Sequence, residues 1–223
     1  MFDNIAPTYD RLNHIMSMNI DRLWRRRAVT AAVRHGGSDI LDVATGTGDL
    51  AIELARRMPE ARICGVDLSA EMLKVAEAKF AARGMAERIS LSQGEAEHLE
   101  FADGTFDAVT VAFGVRNFED IEGGLREMRR VLKSGGMLVV LELSTPSGGL
   151  FGAAYRLYSH IVLPKVGGLV SNDGKAYEYL PASVDEFPSP ERFTDMMRAA
   201  GFDRCRARSQ SFGTATIYTG LKI

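Results

Sequence analysis

The stretch from Asp39 to Asp49 constrains the fold more than any other part of this sequence. It begins with an apolar run, Ile40 to Val43, which Asp42 interrupts and which is typical of a buried parallel strand. Gly46 and Gly48 follow, and glycine lets the backbone turn sharply and approach a ligand closely. A helical apolar pattern comes next. A strand, a glycine turn and a helix in this order predict a doubly wound α/β sheet that binds a nucleoside at its carboxyl edge.

Two classes of cofactor fit this glycine turn. Residues 46–51 satisfy the G-x-G-x-x-G/A pattern of dinucleotide sites, and Asp67 follows the turn by about 20 residues. A dinucleotide would place its diphosphate over the helix N-terminus, where Asp49 would repel it. Asp42 adds a second negative charge, so the local charges favour S-adenosylmethionine, which carries a sulfonium and an ammonium group and no phosphate. In the alternative interpretation, Asp49 is only a favourable acid in the first turn of a helix.

Composition bounds the remaining classes of protein. A chain of 223 residues buries one substantial core, and a net charge of -2 lacks the footprint of a nucleic-acid-binding protein. Cys64 and Cys205 have no partners at metal-ligand spacing, so we expect no metal site and two reduced core cysteines. We also expect no signal peptide and no membrane span, and therefore a cytoplasmic protein.

Strands and helices alternate along the chain. We expect N-terminal helices at 9–17 and 20–33, strands at 40–43, 61–66, 89–92, 106–113 and 137–143, and helices near 69–83, 121–132 and 189–200. Two closing strands, near 204–208 and 214–221, complete a predicted seven-stranded, mostly parallel sheet. We therefore expect a single domain over residues 1–223, with an N-terminal helical cap at 1–36 and an insertion at 145–188 that caps the substrate pocket.

The second predicted helix is strongly basic. Its arginines are Arg22, Arg25, Arg26, Arg27 and Arg34. A solvated face beside a core stripe is one interpretation of this pattern, and a surface that meets anionic lipid headgroups is the other.

Polar residues that follow the predicted strands are expected to gather at the sheet edge. Asp67 is suited to accept hydrogen bonds from both hydroxyls of a ribose. Glu95 is suited to accept from an adenine amino group while the Ala96 amide donates to a ring nitrogen, although Glu95 also fits a simple loop acid. Arg116 and Asn117 follow the fourth strand in a pattern that suits a polar-headed aromatic substrate, and a structural arginine that ties down a loop would look the same.

Several separate segments together resemble one family. Tyr9 to Ser17, with Trp24, resembles the N-terminal signature of the UbiE/MenG-type quinone C-methyltransferases, and Arg130 to Ser144 resembles their second signature. Phe113 to Asn117 and Ala176 to Pro181 are also similar to that family. The resemblance extends from Phe2 to Lys222, and departures such as Ala44, Asp21 and Ser134 touch no residue with an expected catalytic role. Members usually have further residues before the position of Met1, so we expect part of the substrate-covering segment to lie there.

The resemblance implies methyl transfer from S-adenosylmethionine to a ring carbon of a prenylated quinol, in menaquinone or ubiquinone synthesis. The family's cofactor contacts fall on Thr47, Asp67, Glu95 and Ala96, and its pocket network falls on Tyr9, Arg116 and Asn117. The complete expected cofactor site is Asp42, Gly46, Thr47, Gly48, Asp67, Leu68, Glu95, Ala96 and Phe113. Arg116 is expected to stabilise the developing oxyanion, while Asn117 and Tyr9 orient it or a water that takes the proton.

Three functions remain open at this point, and the first of them is methyl transfer to a quinol. Demethylmenaquinol is the favoured acceptor, and the benzoquinol precursor of ubiquinone is the alternative. A NAD(P)-dependent oxidoreductase and a non-catalytic partner of quinone synthesis are the other two. No histidine is an obvious general base, although His160 in the cap is a candidate. Leu150 to Val170 is expected to form a groove for the prenyl tail and to rest peripherally on the inner face of the cell membrane, and homodimer formation is left open.

Overall fold

The computed structural model describes residues 6, 9–146 and 182–223. Within these ranges, besides a helical stretch at 182–186, the helices are α1 (Tyr9–Met16), α2 (Ile20–His35), α3 (Asp49–Arg57), α4 (Ala70–Ala81), α5 (Ile121–Val131) and α6 (Pro190–Ala199). The strands are β1 (Asp39–Val43), β2 (Arg62–Asp67), β3 (Ile89–Gln93), β4 (Phe106–Ala112), β5 (Leu132–Leu143), β6 (Asp203–Gln210) and β7 (Ala215–Leu221). Two short 3-10 helices lie at Val115–Asn117 and Ser211–Gly213.

The strands form one sheet in the order β3-β2-β1-β4-β5-β7-β6. Neighbours among β1 to β5 are parallel, whereas β7 pairs antiparallel with both β5 and β6. The predicted seven-stranded, mostly parallel, doubly wound sheet is confirmed. The antiparallel strand between β5 and β6 distinguishes this sheet from the 3-2-1-4-5-6 order of dinucleotide-binding dehydrogenases.

Apolar residues on the two faces of the sheet hold one helical layer each. On one face Trp24 of α2, Leu54 of α3 and Phe80 of α4 belong to a single buried cluster. On the other face a second cluster contains Leu125 of α5 and Phe193 of α6. Because both faces are covered, the central strands are apolar on both sides, as a parallel sheet requires.

Sequence signals at helix starts agree with the structure. The Ser69 hydroxyl accepts a hydrogen bond from the Met72 amide at 3.2 Å, and that of Ser189 accepts one from the Arg192 amide at 3.3 Å. Pro190 occupies the first turn of α6, where its missing N–H costs nothing. These two predicted helix starts are confirmed.

The predicted start of β5 was wrong. Gly135 and Gly136 were expected to turn into a strand that starts at Met137, but β5 begins at Leu132, directly after α5, with a shift of register between the pairs Leu132–Phe106 and Met137–Ala108. The Gly135 amide donates to the Lys222 carbonyl at 2.6 Å, and the Lys222 amide donates to the Gly136 carbonyl at 2.9 Å. Backbone pairing with the end of the chain therefore absorbs the glycine pair into the strand, which local turn preference does not predict.

Part of the expected substrate cap lies outside the described residues. This applies to the proposed groove at 150–170, to the candidate base His160 and to the motif at 176–181. Residues 182–186 at the end of the insertion are helical, and Ser183 and Val184 are buried. None of the helices in the described ranges combines the length and apolar character that a bilayer crossing needs. Across the same ranges, no three His, Cys, Asp or Glu residues are grouped as metal ligands.

Candidate active site

A cavity of about 410 Å³ opens at the carboxyl edge of the sheet. Its walls come from the segments that directly follow β1, β2, β3 and β4, because parallel strands bring these ends together. The lining includes Ala44, Gly46, Asp67, Leu68, Gly94, Glu95, Ala96, Phe113, Gly114 and Asn117, together with Tyr9 from α1. Eight of the predicted site residues therefore line one cavity: Tyr9, Gly46, Asp67, Leu68, Glu95, Ala96, Phe113 and Asn117.

Two residues of the cavity wall have strained backbones. Ala44 directly follows β1 with φ of 51°, and Phe113 directly follows β4 with φ of 60°. Such left-handed conformations are uncommon for residues with a side chain, and they concentrate at functional sites. The two walls meet closely, because a Cβ added to Gly114 would lie 2.5 Å from that of Ala44. Position 114 therefore requires glycine, because a side chain there would overlap Ala44.

Asp67 is held rigidly at the end of β2. The Gly46 amide donates to its Oδ2 at 2.7 Å, and the Ser69 amide donates to its Oδ1 at 2.9 Å. These two bonds join the glycine turn to the carboxylate and fix the direction of both oxygens. A carboxylate with fixed oxygens in a nucleoside-sized cavity is suited to accept from the two hydroxyls of a ribose.

Another part of the cavity wall is the segment that directly follows β3. The Gly94 amide donates to the Asp67 carbonyl at 3.1 Å, which holds the Gly94–Ala96 segment against the end of β2. Glu95 and Ala96 line the cavity together with Leu68, which is 65% exposed. The expected contacts of Glu95, Ala96 and Leu68 with an adenine base stay a prediction.

Asp42 lies behind the cavity and does not line it. Its carboxylate is buried and accepts hydrogen bonds from the hydroxyls of Thr45 and Thr110, each at 2.7 Å. Burial raises the pKa of Asp42 to about 6, against the lowering effect of these two hydroxyls. Asp42 therefore ties β1 to β4 and to the glycine turn, and its expected direct contact with a cofactor stays a prediction.

Thr47 and Gly48 also lie outside the described cavity lining. The Thr47 hydroxyl donates to Asp10 of α1, and a Cβ on Gly48 would lie 2.4 Å from the ring of Phe80. Gly48 therefore lets α4 pack against the turn. Thr47 instead joins the turn to the N-terminal helix.

Asp49 is paired with Lys79, a residue for which the sequence predicted no role. Lys79 of α4 donates to Asp49, and it also donates to Asp10 at 2.7 Å. Burial disfavours the charge of Asp49, but the charges of Arg25 and Lys79 outweigh it and lower the pKa of Asp49. Because this carboxylate is already neutralised, its charge is weaker support for a cationic cofactor than the sequence suggested. Lys79 lies 30 residues from Asp49, and no local pattern predicts their contact.

Arg116 points away from the cavity and into the protein. Its Nη1 donates to Glu142 Oε1 and to the Phe113 carbonyl, both at 2.6 Å, and its amide donates to Glu142 Oε2 at 3.2 Å. Glu142 is fully buried near the end of β5. These contacts favour the interpretation of a structural arginine that holds the Phe113–Asn117 turn. Glu142 was missed in the sequence, where an acid inside an apolar strand was the available signal.

Phe113 connects the cavity to α2. Trp24 meets its ring edge-on, with 6.3 Å between ring centroids, and the Arg25 guanidinium lies 5.1 Å from the ring centroid. Arg25 also forms a buried ion pair with Asp21. The basic helix thus contributes structural contacts to one wall of the cavity.

Two solved methyltransferase structures share this architecture. The chain superposes on a SAM-dependent methyltransferase from Aquifex aeolicus with a TM-score of 0.67 and 17% identity, covering 96% of this chain and 98% of that one. It also superposes on phosphoethanolamine N-methyltransferase 2 from Haemonchus contortus, solved in complex with S-adenosyl-L-methionine, with a TM-score of 0.65 and 16% identity over 88% of this chain and 52% of that one. At these identities the likeness shows the fold: a class I methyltransferase sheet.

Full-length sequence relatives are much more similar. The chain is 51% identical over 222 residues to demethylmenaquinone methyltransferase of Deinococcus radiodurans, covering 100% of this chain and 91% of the relative. It is 50% identical to the enzyme of that name from Thermus thermophilus, covering 99% of each, and 50% identical to the ubiquinone/menaquinone biosynthesis C-methyltransferase UbiE of Geobacter sulfurreducens, covering 100% of this chain and 87% of the relative. The profile of the ubiE/COQ5 methyltransferase family matches residues 1–222. The chain therefore belongs to the ubiE/COQ5 methyltransferase family.

Proposed function

We propose that this protein transfers a methyl group from S-adenosylmethionine to a ring carbon of a prenylated quinol, with demethylmenaquinol as the acceptor. The observation that carries this proposal is the 50–51% identity, over at least 99% of the chain, to proteins named demethylmenaquinone methyltransferase. A benzoquinol in ubiquinone synthesis is the second candidate acceptor, because a relative of equal identity is named for both quinones.

The cavity supports S-adenosylmethionine as the methyl donor. Asp67 would hold the ribose hydroxyls, Glu95 and the Ala96 amide would hold the adenine, and Leu68 would cover the base. A Cβ added at Gly46 would meet nothing within 4 Å, so the turn leaves open space beside the Asp67 carboxylate. When bound, S-adenosylmethionine supplies an electrophilic methyl group on a positively charged sulfur. Asp42, from behind the cavity, and Thr47 and Gly48, within the glycine turn, would fix the shape of that turn.

Asn117 and Tyr9 are the polar residues of the substrate side that we assign to the reaction. Both line the cavity, beside the rings of Phe113 and Phe118. A quinol carbon next to a hydroxyl becomes a stronger nucleophile when that hydroxyl loses its proton. Asn117 and Tyr9 would orient the resulting oxyanion by hydrogen bonding, and the aromatic walls would align the ring.

Arg116 acts in this proposal through the turn that carries Asn117. Its bonds to Glu142 and to the Phe113 carbonyl fix the Phe113–Asn117 segment, so the guanidinium serves as a positioning group. Because the buried Glu142 carboxylate offsets its positive charge, we assign Arg116 no direct contact with the oxyanion. Proximity and alignment supply on the order of 7–11 kcal/mol in comparable reactions.

Two measurements test the proposal. Calorimetric titration is expected to show binding of S-adenosylhomocysteine and none of NAD, and Asp67→Asn is expected to weaken that binding about tenfold or more, because a charged acceptor is lost. Asp103→Asn, at a carboxylate 78% exposed and paired with Arg130, is the matched control and should bind normally. Incubation with labelled methyl donor and either demethylmenaquinol or the benzoquinol precursor then identifies the acceptor. Preference for NAD, or transfer to neither quinol, would contradict the proposal.

We further propose that the protein works at the inner face of the cell membrane, because a polyprenyl tail resides in the bilayer. The homodimer remains a separate proposal, to be tested by sedimentation.

A further inference from the structure

One face of the protein combines exposed arginines with an exposed aromatic ring. This face, which we call the α2–β6 face, is formed by α2, β6 and the Ser211–Gly213 turn. Its members are Leu23, Arg27, Arg206, Arg208 and Phe212, all of them exposed. Two of them are large apolar side chains, Leu23 at 45% and Phe212 at 84% exposure.

Strand pairing places the two β6 arginines on the side of α2. Arg208 pairs with Ile217, and Arg206 pairs with Thr219. Directly paired residues of antiparallel strands project to the same face. Ile217 belongs to the buried cluster that contains Trp24 of α2, so Arg206 and Arg208 extend the surface beside α2.

The Ser211–Gly213 turn holds Phe212 outward at a conformational cost. Ser211 and Phe212 have φ of 43° and 58°, a region that residues with side chains rarely occupy. The turn is fixed by hydrogen bonds from Trp24 Nε1 to Ser211 Oγ at 2.9 Å and from Ser144 Oγ to the Gly213 carbonyl at 2.8 Å. A strained, well-anchored turn that exposes a phenyl ring is typical of a binding device.

Positive charge predominates on this face, although the exposed Asp203 at the start of β6 pairs with Leu221 and lies on the same side of the strand. Arg27 donates to Gln210 at 2.7 Å, which ties α2 to the end of β6. Neither Arg206 nor Arg208 forms an ion pair with another residue in the part of the chain that the structure describes. Arg22 lies beside these residues on α2, in an exposed position. The face therefore presents positive charge around an apolar tip.

We propose that the α2–β6 face docks the protein on an anionic lipid bilayer. Phe212 and Leu23 enter the interfacial region, while the arginines contact the lipid phosphates. A second copy of this chain is a poor occupant, because a twofold interface would bring the same arginines into contact with one another. The docking surface is also linked to the cavity, since Ser211 binds Trp24 and the ring of Trp24 contacts Phe113.

The role of this docking, delivery of a prenylated quinol from the bilayer to the cavity, rests on the proposed function. Its test does not rest on that function. Flotation of the full chain with vesicles of phosphatidylcholine and phosphatidylglycerol, without cofactor or quinol, measures docking alone. We expect binding that weakens with salt and is much weaker on pure phosphatidylcholine.

Substitutions assign the binding to this face. Phe212→Ser is expected to lower the vesicle partition coefficient about tenfold or more, because burial of a phenyl ring is lost. Each of Arg206→Gln and Arg208→Gln is expected to lower it about fivefold. The matched controls lie elsewhere: Ile223→Ser, at a residue 67% exposed, and Arg198→Gln, at a side chain 56% exposed on α6. Both controls are expected to bind like the wild type.

Three outcomes would overturn the inference. They are equal binding to neutral and anionic vesicles, unchanged binding of all three face variants, and a Phe212-dependent dimer in solution without vesicle binding. The two proposals fail separately. If docking occurs as expected but no quinol is methylated, only the function is wrong. If a quinol with a short, soluble tail is methylated but the vesicles are not bound, only the docking is wrong.

Discussion

The contact between Ala44 and Gly114 yields a specific test of the cavity wall. Gly114 has φ of -109°, which any L-residue adopts, so its substitution is not limited by the backbone. A Cβ at position 114 would nevertheless lie 2.5 Å from the Ala44 Cβ and 3.2 Å from Val111 Cγ1. We therefore predict that Gly114→Ala destabilises the protein by steric overlap alone, by about 1–3 kcal/mol.

Removal of the opposing methyl group should reverse most of this loss. Ala44→Gly deletes the atom at 2.5 Å and also relieves a left-handed conformation, which costs about 1–2 kcal/mol for a residue with a side chain. The greater flexibility of glycine in the unfolded chain offsets about 0.5–1 kcal/mol of that gain. Ala44→Gly alone is therefore close to neutral. The double variant is expected to lie near the wild type, with a coupling energy of about 1–3 kcal/mol.

The assay is urea unfolding of the four proteins, followed by circular dichroism and fitted with a common m-value. Ala44→Gly combined with Gly94→Ala is the control cycle, because a Cβ at Gly94 would meet Val66 at 3.3 Å and does not reach Ala44. The control effects should add to within about 0.5 kcal/mol. A Gly114→Ala variant with the unfolding free energy of the wild type, or additive effects of Gly114→Ala and Ala44→Gly, would refute the proposed contact between these two strand ends.

Three further predictions concern two buried acids and one helix cap. The folded pKa of Asp42, about 6, lies above its ordinary 3.8, so the native state holds the extra proton between these values and loses stability as pH rises from about 4 to 6. Asp42→Asn should remove about 3 kcal/mol of that pH dependence in urea titrations, and parallel pH curves for the two proteins would contradict the burial of this acid. Glu142→Gln leaves the Arg116 guanidinium uncompensated in a buried position, so thermal unfolding should show a loss of about 3–5 kcal/mol, partly recovered when Arg116→Gln is added. Ser189→Ala should cost about 1 kcal/mol through the lost cap of α6, measured as a lower Tm, with exposed Ser209→Ala as its control.

Local patterns predicted most of the fold because the relevant forces are local. Apolar runs, the glycine turn and the caps at Ser69 and Ser189 each bias a short segment toward its observed structure. The start of β5 was not predicted because the backbone of Gly135 is paired with Lys222, near the far end of the chain. Turn preference is weak compared with such pairing.

The candidate site was predictable where position along a strand determines position in space. Asp67, Glu95 and Asn117 follow successive strands, and parallel pairing brings them to one cavity. The contacts of long side chains were not predictable. The sequence leaves Arg116 equally suited to face a substrate or a buried acid, and only the position of Glu142 distinguishes these two. The pairing of Asp49 with Lys79 likewise depends on how α4 packs against the glycine turn.

In the proposed reaction the methyl group is transferred to a carbon atom of the quinol ring. The most direct measurement uses S-adenosylmethionine labelled with ¹³C in the methyl group, demethylmenaquinol kept reduced, and NMR analysis of the extracted product. We predict that the label is attached to a ring carbon and that its appearance requires the quinol form. Label on an oxygen, or no label in the lipid extract from an enzyme that binds S-adenosylhomocysteine, would contradict the claim.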